Sequence, residues 1–398
     1  MQNEKCFLKA DILLPKTDIS AWSVIACDQY TSEPEYWEKV RKNAGEVPSA
    51  LNIILPEVYL SGDNSDAVSG INSTMKKYID SGIFNEYKDA LIYVERIQTD
   101  GILRRGIVGK IDLEHYDYRA GAKSAIRATE QTVLERIPPR VQIRENAPLE
   151  LPHVMVLFDD AQDKVMSLMC DRKDNFNMLY DFELMCGGGH ITGWLVDDDT
   201  ANSVLDLIDT LRDDDGLLFC VGDGNHSLAT AKECYNQNKN DLSRYALCEI
   251  LNIHEQAFCF EPIYRVVFGV DPETIIADFV DACGDYDGAD AHKYTCVWED
   301  AECEISVKPT SKLAVGTLQT FLDAYLKENP NIKIDYIHGV DSLKKLSSGE
   351  NAVGFIFEGM KKEELFSAVV QDGSLPRKTF SLGHADDKRF YIEARKIR

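Results

Sequence analysis

Leu217-Leu218-Phe219-Cys220-Val221-Gly222-Asp223-Gly224-Asn225-His226-Ser227 contains a change of hydrophobic period that predicts a strand, a turn and a helix. The five apolar residues 217–221 predict a short buried strand, and Leu228, Ala231 and Tyr235 recur at helical spacing beyond the turn. The glycines around Asp223 allow unusual backbone angles and the close approach of a ligand. The helix start presents N–H groups without intrahelical partners and with partial positive charge. Such a corner suits a phosphate.

Two interpretations of this corner remain open from the sequence alone. Asp-Gly is an ordinary turn dipeptide, and Asn225 or Ser227 is a residue type that caps helices. His226 favours a functional role, because a titratable imidazole beside the carboxylate of Asp223 is more than capping requires. We therefore take Asp223 and His226 as candidate catalytic residues, and Asp223 also as a candidate metal ligand.

The stretch Gly222–Ser227 resembles the Asp-Gly-His-His-Arg signature of the bacterial and archaeal proteins grouped as domain of unknown function 1015. That family is similar in this motif to the ParB/sulfiredoxin-like superfamily, whose members bind nucleotides and include free-serine kinases. The resemblance implies that Gly222, Gly224, Asn225 and Ser227 contact a nucleotide, with ATP or ADP and Mg²⁺ as cofactors. Here Asn225 stands where the first His is usual, and Ser227 stands where Arg would grip phosphate.

Composition limits the classes of function. The chain has 398 residues, 44% of them hydrophobic and 28% charged, which is typical of a globular protein with a large core. A formal charge of −24 disfavours a nucleic-acid partner, because such binding neutralises phosphates with cations. No apolar run is long enough to cross a bilayer, and the start of the sequence resembles no export signal. Eleven scattered cysteines favour a reducing cytoplasm.

Positive charge is concentrated between Arg127 and Arg144. Pro138-Pro139 is expected to end a helix near Arg136, and the following strand would aim Arg140 and Arg144 at a phosphate. Arginine is the side chain suited to bidentate recognition of phosphate or carboxylate. The alternative is that these arginines pair with nearby glutamates on the surface.

Three further stretches resemble elements of the same family. Glu130-Gln131-Thr132 resembles its Glu-x-Thr element, which makes Glu130 a candidate second acid, although a charge in a first helical turn is the alternative. Pro262–Arg265 resembles a Pro-x-His-Arg element, so Arg265 would supply a cation unless it serves a surface ion pair. Leu375–Ser381 resembles a closing Met-Pro-x-Lys-Ser-Thr element, which makes Lys378 a phosphate contact or a solvent-exposed lysine.

Other polar residues follow predicted strands or turns. Asp28 follows an apolar run, as do Asp159 and Asp160. The pair Asp159 and Asp160 is a candidate metal site or a simple turn. Three glycines precede His190 and predict a hairpin turn that leaves this histidine facing a ligand. We assign His190 and Arg127 to the substrate.

The alternation of elements predicts an α+β protein with mixed β-sheets flanked by helices, and the resemblance implies a ParB/sulfiredoxin-like core. We expect a main domain over residues 1–270 and a smaller C-terminal α/β unit over 271–398. Asp271 and Pro272 are expected to begin a helix, and a second helix is expected near 242–250.

Three functions are consistent with the sequence. The first is an enzyme that transfers a phosphoryl group from a nucleotide to a small polar metabolite, with Arg140, Arg144 and Arg265 balancing charge. The second is a nucleotide or metabolite sensor without turnover. The third is a hydrolase in which Asp223, His226 and either His190 or His254 surround a metal.

Overall fold

The computed structural model describes residues 5–60, 63–119, 121–132, 137–258, 260–383 and 385–398. The chain forms two compact units. The first consists of Met1–Ala128, Thr132–Phe258 and Gly383–Arg398, and the second of Thr129–Gln131 and Cys259–Leu382. Residues 271–382 of the expected C-terminal unit therefore lie in the second unit, whereas residues 383–398 belong to the first.

The first unit contains strands and helices in the chain order β1 (Phe7–Leu8), β2 (Ala10–Pro15), α1 (Ile19–Trp22), β3 (Val24–Ile25), α2 (Pro34–Ala44), α3 (Ser65–Asp80), β4 (Phe84–Ala90), β5 (Ile92–Ile97), β6 (Leu103–Asp112), β7 (Tyr116–Asp117), β8 (Ile126–Ala128), α4 (Ile137–Arg144), β9 (Leu149–Glu150), β10 (Met155–Phe158), α5 (Lys164–Arg172), β11 (Asn177–Glu183), β12 (His190–Leu195), α6 (Asp198–Asp209), β13 (Phe219–Asp223), α7 (Asn225–Gln237) and β14 (Tyr245–Asn252). No helix in the part of the chain that the structure describes is long and apolar enough to span a bilayer.

The second unit continues with β15 (Phe260–Phe268), α8 (Pro272–Cys283), β16 (His292–Trp298), β17 (Ala301–Val307), α9 (Ala314–Glu328), β18 (Lys333–His338), α10 (Val340–Ser347), β19 (Ala352–Phe357), α11 (Leu365–Asp372) and β20 (Phe380–Leu382). The strands β21 (Phe390–Tyr391) and β22 (Arg395–Lys396) then return to the first unit. The α+β class expected from the sequence is confirmed.

A large mixed sheet organises the first unit, in the order β11-β12-β5-β6-β14-β10-β13-β8-β7, with β1 also paired to β6. Strand β10 runs parallel to β14, and β13 runs parallel to β8, while most other pairs are antiparallel. Apolar side chains cover both faces, with Val156 in one core cluster and Val108 in the other. Burial on both faces explains why the central strands are continuous apolar runs.

The segment 242–250 was predicted to be helical, and this prediction is wrong. Residues 245–252 form β14, a central strand that is almost entirely buried. A short apolar run has the same appearance in a buried strand and in a buried helix, so its period does not separate the two. Pairing with β6 and β10 on either side selects the strand.

Buried ion pairs join the end of the chain to this sheet. Arg389 forms ion pairs with Glu249 of β14 and with Glu393, and all three side chains are almost fully inaccessible to solvent. Burial opposes ionisation of Glu249, but the neighbouring guanidinium of Arg389 prevails, and the pKa of this carboxyl is lowered. Arg96 and Arg104 donate to the backbone carbonyl of Asp387. These contacts fix residues 386–393 against the sheet.

In the second unit an antiparallel sheet has the order β17-β16-β19-β15-β18, and β20 pairs with the start of β15. Helix α8 begins as the sequence predicted, because Asp271 accepts a hydrogen bond from the N–H of Thr274 and Pro272 occupies the first turn. Phe279 of α8 packs against Phe321 of α9 and Phe355 of β19, which joins helices and sheet in one apolar layer.

We expect Glu249→Gln to lower the free energy of unfolding by about 3–5 kcal/mol, because two buried guanidinium groups lose this counter-charge. Arg104 loses its ion pair with Glu249, and Arg389 keeps its pair with Glu393. Urea unfolding followed by circular dichroism measures this loss. Glu86→Gln is the matched control, since the pair of Glu86 with Lys396 is solvent-exposed and its loss costs no more than about 0.5 kcal/mol. Equal losses in the two variants would contradict the expectation.

Candidate functional site

The corner between β13 and α7 has the strand, turn and helix that the sequence predicted. Strand β13 ends at Asp223, Gly224 adopts the left-handed conformation with φ of 79°, and α7 begins at Asn225. A Cβ atom at Gly224 would lie 3.1 Å from the Cα of Val154, so glycine serves both the conformation and the close packing here. The N–H of Leu228 donates to the carbonyl of Gly224 and closes the first helical turn.

Gly222 has a role in the packing of two strands, which the sequence did not predict. Met155 of β10 lies opposite Asp223, whereas the next residue, Val156, lies opposite Val221, so Gly222 is the extra residue of a β-bulge. A Cβ atom at Gly222 would lie 2.8 Å from the side chain of Leu157. The glycine thus permits the close packing of β13 against β10 at the bulge.

Asp223 forms an ion pair with Lys388, which no sequence motif indicated. Its Oδ1 accepts a hydrogen bond from the N–H of Gly224 at 3.0 Å, and its Oδ2 lies 3.3 Å from the Nζ of Lys388. The side chain of Lys388 is only 13% exposed. The ion pair lies beside the positive end of the α7 dipole.

Ser227 in the first turn of α7 contacts a buried histidine. Ser227 Oγ and His153 Nε2 are 3.0 Å apart, and the other ring nitrogen of His153 lies 2.8 Å from the hydroxyl of Tyr391. The N–H of Cys27 donates to the Tyr391 hydroxyl oxygen, and Asp28 Oδ2 lies 3.7 Å from His153 Nε2. A hydroxyl, an imidazole and a phenol thus form one hydrogen-bonded group beside the corner, and the Asp28 carboxylate lies close to the imidazole.

The surroundings lower the pKa of Asp28 and raise those of Cys27 and Tyr391. Burial opposes ionisation of Asp28, but His153, a hydrogen bond from Gln29 and the charge of Lys388 together lower the pKa of Asp28. Burial raises the pKa of the Cys27 thiol to about 12, so this cysteine stays protonated and unreactive. The pKa of Tyr391 is also raised by burial. Asp28 is therefore ionised at neutral pH.

Arg140 and Arg144 lie near α7, but not in the way the sequence predicted. Pro138 and Pro139 do not end a helix; they occupy the first turn of α4, where a missing N–H costs nothing. The two arginines are four residues apart on one face of this helix. Arg140 pairs with Glu57 and Arg144 with Glu150, so ion pairing, the alternative interpretation, is present for both. Arg136 lies outside the described residues.

A cavity of about 160 Å³ adjoins α7 and α4. Its lining includes Ser227, His153 and Tyr391 as well as Arg140 and Arg144, so the cavity connects the two predicted phosphate-binding elements. The structure thus brings Ser227, Arg140 and Arg144 to one space within the first unit.

The remaining residues of the motif face different surroundings. The side-chain amide of Asn225 is buried and donates to the carbonyl of Val221 at 3.4 Å. This contact joins the start of α7 to β13. His226 is half-buried in the first turn of α7, and its backbone carbonyl accepts a hydrogen bond from Thr230. Both residues remain part of the corner.

Glu130, Arg265 and Lys378 come together within the second unit. The N–H of Lys378 donates to Glu130 Oε1 at 3.3 Å, and Arg265 donates to the backbone carbonyl of Lys378 at 3.0 Å. Arg265 is fully buried, bonds Gln319 and lies over the ring of Tyr336. Burial of Arg265 excludes the surface ion pair, which was the alternative interpretation of this residue.

The residues assigned to the substrate have other partners in the structure. Arg127 is buried and donates to the backbone carbonyls of Ser124 and Asp215. His190 lies within 2.8 Å of Asp181 and 3.0 Å of Glu183 on the neighbouring strand. Neither contact requires a ligand.

The other acidic candidates also have structural partners. Asp160 accepts a hydrogen bond from the N–H of Val165 at the start of α5, and Asp159 lies 2.7 Å from His254. Within the described ranges, no group of three or more His, Cys, Asp or Glu side chains is arranged to hold a metal ion.

Comparison with known proteins gives a family and several distant structures. A family model described as a protein of unknown function (DUF1015) matches residues 9–325, and no curated protein matches the chain. A free serine kinase in complex with AMP is 11% identical with a TM-score of 0.41, covering 72% of this chain and 91% of that chain. A conserved hypothetical protein from Pyrococcus furiosus is 12% identical with a TM-score of 0.36, covering 71% and 90%. SbnI with a C-terminal truncation from Staphylococcus aureus is 13% identical with a TM-score of 0.36, covering 72% and 82%.

We expect Gly224→Ala to destabilise the protein more than Gly216→Ala. Both glycines have a positive φ, which costs an alanine about 1–2 kcal/mol, but only Gly224 has backbone of Val154 in the way of a Cβ atom. Gly216 has open space around it and is therefore the matched control. Urea unfolding compares the two, and equal losses would show that the close packing at Gly224 is unimportant.

We expect His190 to titrate above its ordinary pKa of 6.5, because its hydrogen bond to Asp181, and a further one to Glu183, favour the protonated ring. A raised folded-state pKa means that this contribution to stability is present below about pH 6.5 and is lost as the pH rises through the folded value. Titration of the ring by NMR measures the shift. Asp181→Asn should reduce it, and Asp66→Asn on exposed α3 should not; a wild-type pKa at or below 6.5 contradicts the expectation.

Proposed function

The chain belongs to the family described as protein of unknown function (DUF1015), and we propose that its corner of β13 and α7 binds a nucleoside phosphate and transfers a phosphoryl group to a hydroxyl of a small metabolite. The observation that carries this proposal is the placement of the Lys388 ammonium group 3.3 Å from Asp223, at the N-terminal end of α7. An ammonium group has three N–H donors, so Lys388 can hold Asp223 and contact a phosphate at the same time.

Binding of the phosphate uses the backbone and a few side chains. The first turn of α7 offers the positive end of a helix dipole, and Gly224 lets the backbone turn tightly before it. The Ser227 hydroxyl and the Lys388 ammonium group are the donors beside it. His226 in the same turn would contact phosphate or move a proton.

Phosphoryl transfer needs a base for the acceptor hydroxyl. Asp223 would accept the proton as the acceptor oxygen attacks the terminal phosphorus, the bond from phosphorus to the bridging oxygen breaks, and the nucleoside diphosphate leaves. His153, held between Ser227 and Tyr391 and close to Asp28, is a second group able to hold a proton. Glu130 remains a proposed second acid.

Mg²⁺ remains part of the proposal through Asp223. Mg²⁺ in phosphate-transfer sites takes one or two protein carboxylates together with phosphate oxygens and water, so a single carboxylate beside bound phosphates fits it. The metal would neutralise charge on the phosphates. A cytoplasmic location, inferred from the odd number of scattered cysteines, is also proposed.

We expect ATP or ADP to raise the melting temperature of the protein, and Lys388→Gln to weaken nucleotide binding about tenfold or more by removing a charged donor. Calorimetric titration with ADP measures the affinity. Lys396→Gln is the matched control, because Lys396 belongs to the same C-terminal segment but pairs with exposed Glu86. If millimolar nucleotide does not shift the melting temperature of the wild-type protein, the proposal is contradicted.

Turnover is tested separately from binding. Incubation with ATP, Mg²⁺ and a panel of hydroxyl-bearing metabolites that includes serine should release ADP and form a phosphate ester. Asp223→Asn should reduce this rate about 100-fold or more while nucleotide still binds. Tight binding with unchanged nucleotide across the panel would favour the sensor over the enzyme.

A further inference from the structure

The cavity beside α7 has a lining that the phosphate site does not explain. Its volume is about 160 Å³, and most of its wall is apolar. These apolar side chains come from several elements of the first unit. They include Ile53, Leu55, Met75, Ile143, Leu149 and Leu228. A phosphate gains nothing from such a wall, because apolar side chains offer no donors.

The size of the cavity indicates the size of a suitable ligand. An apolar cavity of about 150 Å³ accommodates a benzene-sized molecule. An apolar cavity left unfilled also destabilises the fold in proportion to its volume. A ligand that fills this space with a compact apolar body therefore gains both burial and packing.

The two arginines on the lining already have carboxylate partners. Arg140 pairs with Glu57, and Arg144 shares Glu150 with buried Arg395. A carboxylate ligand would have to displace one of these glutamates. The remaining polar wall is Ser227, His153 and Tyr391. Both ring nitrogens of His153 have partners in the structure, whereas the Ser227 hydroxyl has a further hydrogen-bonding position for the hydroxyl of an uncharged ligand.

We propose that this cavity binds an uncharged alcohol with an aromatic or branched apolar body, its hydroxyl directed to Ser227. The assignment of this alcohol as the phosphoryl acceptor rests on the proposed function. The binding itself does not.

The test uses benzyl alcohol as the probe, with benzoate and glycerol as congeners that change only the charge or the apolar body. Thermal unfolding of the full chain is measured with each compound at millimolar concentration, with and without ADP. Benzyl alcohol should raise the melting temperature by about 1 °C or more relative to a cavity-filled variant, whereas benzoate and glycerol should not.

The cavity-filled variant is Ala231→Met on α7, which places a longer apolar side chain into the lining. Ala67→Met on the exposed face of α3 is the control with the same substitution in a helix. Affinity for benzyl alcohol should fall at least about tenfold in Ala231→Met and be unchanged in Ala67→Met. If Ala231→Met does not fold cooperatively, Ala147→Met fills the same cavity from the segment after α4 and carries the comparison.

The outcomes separate this proposal from the phosphotransferase proposal. No shift with benzyl alcohol, an equal shift in the filled variant, or equally strong binding of benzoate would overturn the cavity assignment even if ADP binds. A shift that depends on Ala231 supports the assignment even if ADP does not bind, in which case the alcohol is a ligand and not an acceptor.

Discussion

The buried ion pair between Arg389 and Glu249 is the constraint on which the candidate site depends. It fixes the C-terminal segment against β14 in the centre of the main sheet, and Arg96 and Arg104 hold the preceding backbone through its carbonyls. Lys388 and Tyr391 are next to Arg389 in the chain. The ion pair therefore places an ammonium group at Asp223 and a phenol at His153.

Buried charge of this kind is poor evidence of stability, because desolvation opposes the attraction between the ions. Here the ion pairs determine where the C-terminal segment lies on the sheet. An apolar segment would fit the same groove in several registers, whereas Arg389 reaches Glu249 and Glu393 together in one. We infer that the cluster fixes the register of residues 386–393, and with it the geometry of the corner.

The site combines two environments on either side of the first turn of α7. One side has Asp223, Lys388 and the helix dipole and suits an anion. The other side is a mostly apolar cavity whose arginines are already paired. Ser227 lies at the junction, since it belongs to the turn, lines the cavity and contacts His153. A reaction between a phosphate donor and an alcohol needs both environments side by side.

The sequence predicted some elements well and others poorly, for reasons that are local. The α8 start was predicted correctly because Asp271 and Pro272 act within one helical turn. The helix expected near 242–250 was wrong because sheet pairing, a nonlocal effect, decides the structure of a short apolar run. The helix α4 was misplaced because Pro138-Pro139 was interpreted as a stop, although prolines are equally compatible with a first turn.

The corner follows from the sequence alone, because a change of period from strand to helix and a glycine able to adopt positive φ act over adjacent residues. The sequence also indicated the acid and the imidazole within that motif. The folded structure was needed to show that Lys388, His153, Tyr391 and Asp28 lie around the corner, and that Arg127 and Arg265 are buried and donate to backbone carbonyls. Those neighbours come from distant parts of the chain, and no local pattern records which of many charged residues a folded sheet brings together.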